Sequence, residues 1–231
     1  WKMQIAALLT AAVCALAKPA PTTGDPDEPT NRGVALLGSA GAASGGALVL
    51  LVVRNVLLDR NCPLDGTTAR CTARGDVESA LVGTQIALEN AAVGLAAGGG
   101  VVLGRNHGWH DARAWRERPI RRIIGGGVTL VVVGAGGIAG AIALQFTSLS
   151  HCVGAEVDSG DPLAGDRCIK RRYPVWTTMH WASFTAVAAG AAILGYGTAH
   201  RRQARRFGGA ALRLAPSFAR DGGGLSLVGR F

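Results

Sequence analysis

Residues 129–143, TLVVVGAGGIAGAIA, are compatible with two unrelated folds. Gly134, Gly136 and Ala139 match the G-x-G-x-x-G/A pattern, in which a strand leads through a glycine-rich turn into a helix that binds a dinucleotide. The same letters match the middle of a membrane-spanning helix, whose glycines would let another helix approach closely. The residues around the stretch distinguish the two interpretations.

The context of this stretch favours a membrane helix. Charged residues are absent from the whole run Ile123–Ser150, which begins with the glycines 125–127, poor material for a strand. Glu156 and Asp158 do follow at about the distance expected of a ribose-binding acid. However, no alternating strand and helix units come after them, and a lone glycine motif is a weak signal. A nicotinamide-type oxidoreductase is therefore kept only as an alternative.

Three further runs share this apolar character. The 231-residue chain is 17% charged, against about 25% in soluble domains, and its charges cluster between the long runs. Each run contains the roughly 20 apolar residues that a span needs. We predict an all-α membrane protein, with a four-helix transmembrane bundle over residues 33–207 and spans at about 33–53, 79–104, 123–147 and 175–199.

The segments outside this domain have their own character. Residues 1–17 resemble an export signal, with a lysine, an apolar stretch and an Ala-Leu-Ala cleavage pattern, although the first residue is Trp and the true start is expected to be missing. Residues 18–32 are proline-rich and acidic, which predicts a flexible linker. Residues 208–231 alternate around a glycine turn at 221–224, which predicts a short C-terminal β-hairpin.

Small residues recur at helical spacing in all four predicted spans. In lipid, such faces let helix backbones approach one another closely. We expect the helices to pack through six glycines in particular, namely Gly38, Gly46, Gly83, Gly136, Gly140 and Gly190.

The cysteines form two local pairs once Cys14, inside the predicted signal, is set aside. Cys62 and Cys71 are separated by eight residues, and Cys152 and Cys168 by fifteen, in loops predicted on the same side of the membrane. These intervals differ from the short knuckles of zinc sites. We therefore expect the disulfides Cys62–Cys71 and Cys152–Cys168, and no metal.

The charge distribution gives the orientation but conflicts with a cleaved signal. The chain has a formal net charge of +9, with 15 basic residues on the side away from the cysteines and eight on the cysteine side. Because basic loops stay in the cytoplasm, the cysteine loops are expected outside. A cleaved signal followed by four spans would place them inside instead. A retained upstream span or a re-entrant run would resolve the conflict.

Glu89, with Gln85 one turn before it, is the outstanding polar feature of the predicted spans. An intramembrane carboxylate is costly unless it is protonated, paired or hydrated, and it marks a candidate functional site. No lysine or arginine lies within the other spans, so Thr129, Ser183 and Thr185 are the expected partners. Glu89 is interpreted either as a structural hydrogen-bonding group between helices or as a proton or cation site.

The remaining polar residues suggest no enzyme. His107 and His110 have a spacing that metal ligands use, but loop histidines beside arginines are more often solvated. No nucleophile arrangement or nucleic-acid module is evident, and apart from the weak glycine motif at 134–139 no cofactor is expected. We predict a non-enzymatic multi-pass protein of a bacterial inner membrane that is a structural or interaction component of the membrane or envelope. Its expected partners are the lipid bilayer and either copies of itself or other membrane proteins. The alternative is a channel or transporter subunit that uses Glu89.

Overall fold

Four long helices make up most of the structure. The computed structural model describes residues 32–57, 69–114, 116, 118–161, 163–208, 213–219 and 222–228. The helices are α1 (Gly33–Leu57), α2 (Ala69–Arg113), α3 (Ile120–Ser159) and α4 (Ala164–Gly208). The predicted signal at 1–17 and all of the predicted linker except residue 32 lie outside the described residues.

The prediction of four helices is confirmed, and each of them is long and apolar enough to cross a membrane. The candidate spans are Gly33–Asn55, Gly75–Arg113, Ile120–Ser159 and Ala164–Phe207. The helices extend beyond the predicted bounds of the spans. Hydropathy marks only the part of a helix that lipid would surround, whereas the helix itself can continue into water. α2, with 45 residues, is about 68 Å long, against a hydrocarbon thickness of about 30 Å.

The stretch 129–143 lies wholly inside α3. Its residues form neither a strand nor a turn, so the fold required by the dinucleotide interpretation is wrong for this segment. Gly134 is buried and contacts α4 at Ser183 and Val187. The glycine that resembled a phosphate-binding residue is therefore a helix contact.

α4 is the central helix of the fold. α2 runs parallel to it, because Gly100, Gly104 and Gly108 of α2 meet Ala192, Tyr196 and His200 of α4 in ascending order. α3 runs antiparallel along another side of α4, with Gly127 at Leu194 and Gly140 at Met179. α1 packs antiparallel on α2, and its Ser44 reaches α4 at Thr185, with 3.2 Å between the two hydroxyl oxygens.

The interface between α2 and α4 is the closest helix contact. A Cβ atom at Gly100 or Gly104 would overlap the backbone carbonyl of Ala192 or Tyr196, and one at Gly108 would lie 2.7 Å from the carbonyl oxygen of His200. Only glycine permits this approach. These three glycines were not among the predicted packing residues, although their spacing of four residues is typical of a helix contact.

The six predicted packing glycines divide into two groups. Gly46, Gly140 and Gly190 lie at helix contacts, with Leu88, Met179 and Val131 respectively. Gly38, Gly83 and Gly136 are exposed, and a Cβ at each would meet no described atom within 4 Å. These three glycines therefore touch no neighbouring helix within the described part of the chain, because helical spacing reveals a small-residue face without showing which face meets a neighbour.

The turn between α3 and α4 is fixed by local bonds. Gly160 ends α3 in the left-handed conformation, with φ of 65°, and its N–H donates to the carbonyl of Glu156. Asp161 accepts a 2.9 Å hydrogen bond from the Leu163 N–H and forms an ion pair with Arg167. The hydrogen bond from Arg167 holds the pKa of the Asp161 carboxyl below its ordinary value.

Two strands follow the helices, β1 (Arg213–Ala219) and β2 (Gly222–Val228), which pair antiparallel with Ala219 opposite Gly222. The glycines at 222–224, predicted as turn residues, are thus part of β2. Residues 220 and 221, between the strands, lie outside the described part of the chain, so the predicted hairpin turn stays a prediction.

Candidate functional site

Glu89 lies in a group of polar side chains that we call the central polar cluster: the buried Arg54, Gln85 and Glu89 and the half-buried His180. Gln85 and Glu89 lie one turn apart on α2 and are 4% and 2% exposed. Arg54 comes from the last turn of α1, and His180 from α4. Three helices therefore contribute to one site.

A continuous series of polar contacts joins these helices. Arg54 donates from Nη1 to Gln85 Oε1 at 2.7 Å, and Gln85 donates from Nε2 to Glu89 Oε1 at 2.9 Å. The other carboxylate oxygen, Oε2, lies 3.3 Å from His180 Nε2. Gln85 is thus the relay that connects the Arg54 guanidinium to the Glu89 carboxylate.

Some polar atoms in the central polar cluster and beside it have no hydrogen-bond partner. Arg54 Nε, Glu89 Oε2 and the Tyr173 hydroxyl are buried and have no hydrogen-bond partner among the described residues. Arg54 is also within ion-pair distance of Glu78, with Nη2 3.8 Å from Oε1. Its guanidinium carbon lies 5.4 Å from the centre of the Tyr173 ring, a cation–π arrangement.

The partners of Glu89 differ from those expected. Thr129 and Ser183 donate to carbonyls of their own helices, at Gly125 and Met179, and Thr185 does the same at Trp181. Hydroxyl groups inside helices commonly satisfy themselves in this way. His180 and Arg54 were missed because His180 resembled an interfacial residue, and Arg54 lies one position beyond the first uncharged run.

A second group lies at the other end of α2 and α4, and we call it the basic-end cluster: His107, Asp111, Arg118, Tyr196 and His200. Asp111 and His200 are 4% and 3% exposed, and His200 Nε2 is 2.9 Å from Asp111 Oδ2. Arg118, from the connection between α2 and α3, forms an ion pair with Asp111. The hydrogen bond with Asp111 raises the pKa of the Arg118 guanidinium, which therefore stays charged.

Of the two candidate metal ligands predicted from the sequence, His107 belongs to this cluster and His110 does not. His107 Nδ1 lies 3.1 Å from the Tyr196 hydroxyl oxygen, which also accepts a 3.3 Å hydrogen bond from Arg118. His110 is exposed and packs edge-on against Trp109, with ring centres 4.8 Å apart. In the described residues, no group of three or more His, Cys, Asp or Glu side chains could hold a metal ion.

One predicted cysteine pair is present as a disulfide. Cys152 of α3 and Cys168 of α4 are bonded, with their Cα atoms 5.4 Å apart. The bond crosses the short turn that reverses the chain between the two helices. The predicted Cys62–Cys71 disulfide lies outside the described residues, because Cys62 is not described.

The two clusters contain the same kind of residue pair, and this pair can do either of two things. Each places a buried carboxylate of α2 against a histidine of α4, Glu89 with His180 and Asp111 with His200. A carboxylate and an imidazole can share or exchange a proton. The same pair can also fix the register of two helices by hydrogen bonding across their interface.

These features define a multi-pass helical membrane protein in which buried carboxylates of one helix face histidines of a parallel helix. The chain matches no protein family, no curated protein and no solved structure.

Proposed function

We propose that the chain is a non-enzymatic membrane component that works through association within the membrane. The observation that carries this proposal is the internal use of Glu89. Its carboxylate accepts a hydrogen bond from Gln85 and lies within ion-pair distance of His180, so the most conspicuous polar group of the spans contacts side chains of its own chain. A group used in this way stabilises a helix assembly without any need for substrate.

The packing between the two clusters also supports a structural role. Along α2, Glu89 and Asp111 are separated by 22 residues, which is about 33 Å of helix. Gly100, Gly104 and Gly108 all lie between these two residues. They bring α2 into backbone contact with α4. At these three glycines the two backbones touch, which leaves no room for water between α2 and α4 there.

The charge at the two ends of the helices supports an orientation in a bacterial inner membrane. At the basic end, the described exposed charges are all arginines (Arg105, Arg113, Arg116, Arg118, Arg121, Arg122, Arg201, Arg202, Arg205 and Arg206). The opposite end mixes both signs and contains the Cys152–Cys168 disulfide. We assign the basic end to the cytoplasm and the disulfide to an oxidising exterior, which is compatible with an exported chain.

A second candidate function is a proton or cation site at Glu89. Glu89 Oε2 has no hydrogen-bond partner among the described residues, and His180, 3.3 Å away, has a 25% exposed side chain. A carboxylate in this position could accept a proton that arrives through the imidazole. In this alternative, the chain would be a channel or transporter subunit.

Proton flux separates the two candidates. The purified protein and its Glu89→Gln variant are reconstituted in liposomes that contain a pH-sensitive dye, and an imposed pH gradient is followed with and without a potassium-valinomycin potential. We expect both proteins to dissipate the gradient no faster than empty liposomes. The control variant is Asp76→Asn, which changes an exposed carboxylate of the same helix. Dissipation that requires Glu89 but not Asp76 would establish the transport function instead, and a parallel Na⁺ or K⁺ gradient covers the cation case.

A further inference from the structure

Asn90, the residue after Glu89, lies on the outer surface of α2. Glu89 faces the interior, whereas Asn90 is exposed. It lies near the middle of the apolar run Ser79–Gly104. It is the only exposed asparagine or glutamine among the residues whose side chains the structure describes. A polar amide at this depth would therefore face lipid if the chain were alone in the membrane.

The Asn90 amide is only partly satisfied by its own chain. Its Nδ2 donates a 2.8 Å hydrogen bond to the Ile86 carbonyl. The second amide hydrogen and the Oδ1 atom have no partner among the described residues. Lipid tails offer neither a donor nor an acceptor, so these groups favour a partner that supplies both. The exposed Thr129, Thr147 and Thr198 differ, because each hydroxyl donates to a carbonyl of its own helix and has no hydrogen left to donate.

The surface around Asn90 is shaped for a close neighbour. Gly83, Ala87 and Gly94 lie within about 60° of Asn90 around the helix and are exposed. A Cβ at Gly83 or Gly94 would meet no described atom within 4 Å. The amide is therefore flanked on both sides by residues that would let another helix backbone approach within hydrogen-bonding distance.

We propose that α2 forms a parallel dimer with α2 of a second copy of this chain, and that the Asn90 amides of the two copies bond to each other. Copies inserted in one membrane share an orientation, so a two-fold axis along the membrane normal places each residue opposite its equivalent at the same depth. An amide is self-complementary, since each copy supplies the donor and the acceptor that the other lacks. This inference rests on the proposed function and names its partner.

The dimer is tested first by cross-linking in membranes. The Asn90→Cys variant is oxidised with iodine, which enters the bilayer, and analysed without reductant. We expect a covalent dimer. The matched control is Gly136→Cys, an exposed position within the apolar run of α3, and the wild type reports any background from the native cysteines. Equal cross-linking of Asn90→Cys and Gly136→Cys, or none at either, would overturn the proposal, as would cross-linking of the Asn90→Cys variant only to a different protein.

Self-association in liposomes is the second measurement, because it needs no new cysteine. Fluorescence energy transfer between labelled copies is followed as the protein is diluted with lipid. Asn90→Leu is expected to weaken association about tenfold, and Gly94→Leu to weaken it as well, whereas Gly136→Leu should not. Helix content by circular dichroism shows that each variant is folded. A monomeric wild type, or association that Asn90→Leu does not weaken, would contradict the proposed dimer through Asn90 without contradicting the proposed function. Flux that depends on Glu89 would contradict the proposed function.

Discussion

Glu89 shows how far a single residue can be interpreted from sequence. Its position in an apolar run predicted a functional or structural site, and the structure places it at 2% exposure between three helices. The partners could not be predicted, because pairing between Glu89 and His180 depends on which turns of α2 and α4 come opposite. That register is set by backbone packing elsewhere along the interface.

Arg54 illustrates the same limit for a charged residue. It lies next to the last uncharged residue of the first run and resembled the cytoplasmic or exterior end of a span. In the fold, it is 7% exposed and donates to Gln85. A long side chain at a helix end can either extend to water or turn inward, and the sequence does not distinguish the two.

At the scale of the helices, apolar length was sufficient to predict the spans and small residues were insufficient to predict their contacts. The parallel α2–α4 interface depends on Gly100, Gly104 and Gly108, none of which was among the predicted packing glycines. Gly38, Gly83 and Gly136 have the same residue type and comparable spacing but lie on outer surfaces. Which face is used depends on the arrangement of all four helices, a property that local periodicity does not contain.

Gly104→Ala tests the closeness of the α2–α4 interface. The added methyl group would overlap the Tyr196 carbonyl, so the two backbones must separate. We expect a loss of about 1–3 kcal/mol in the free energy of unfolding, measured by detergent-induced unfolding of the purified protein. The control is Gly75→Ala, an exposed glycine of the same helix whose Cβ would meet no described atom within 4 Å. Because alanine has the higher helix propensity, the control should be neutral or slightly stabilising. Equal effects of the two substitutions would show that α2 does not approach α4 closely at Gly104.

For the whole molecule, the sequence predicted four spans and an uneven charge distribution, and the fold adds how these are connected. α4 contacts each of the other helices, and α3 packs along it and is joined to it by the Cys152–Cys168 disulfide. The basic-end cluster attaches the α2–α3 connection to α2 and α4 through Arg118. The predicted conflict between signal cleavage and charge is a matter of orientation, which needs a measurement in cells.

Labelling of the cysteines measures that orientation. An impermeant maleimide is expected to label the native cysteines of intact bacteria only after a reductant has been added, because the Cys152 and Cys168 thiols are joined and the proposed orientation places them outside. The control carries Arg205→Cys at the basic end, with Cys62, Cys71, Cys152 and Cys168 replaced by serine. This control should be labelled only after lysis. Labelling in the reverse pattern would place the disulfide in the cytoplasm.

The central claim is that Glu89 holds α2 to α4, and a double-mutant cycle with His180 tests it most directly. The free energy of unfolding is measured for the wild type, Glu89→Gln, His180→Gln and the double variant. If the carboxylate and the imidazole interact across the interface, the two single losses will not add, and the coupling free energy will be about 1–3 kcal/mol. Additive losses, with no coupling between the two positions, would contradict the claim.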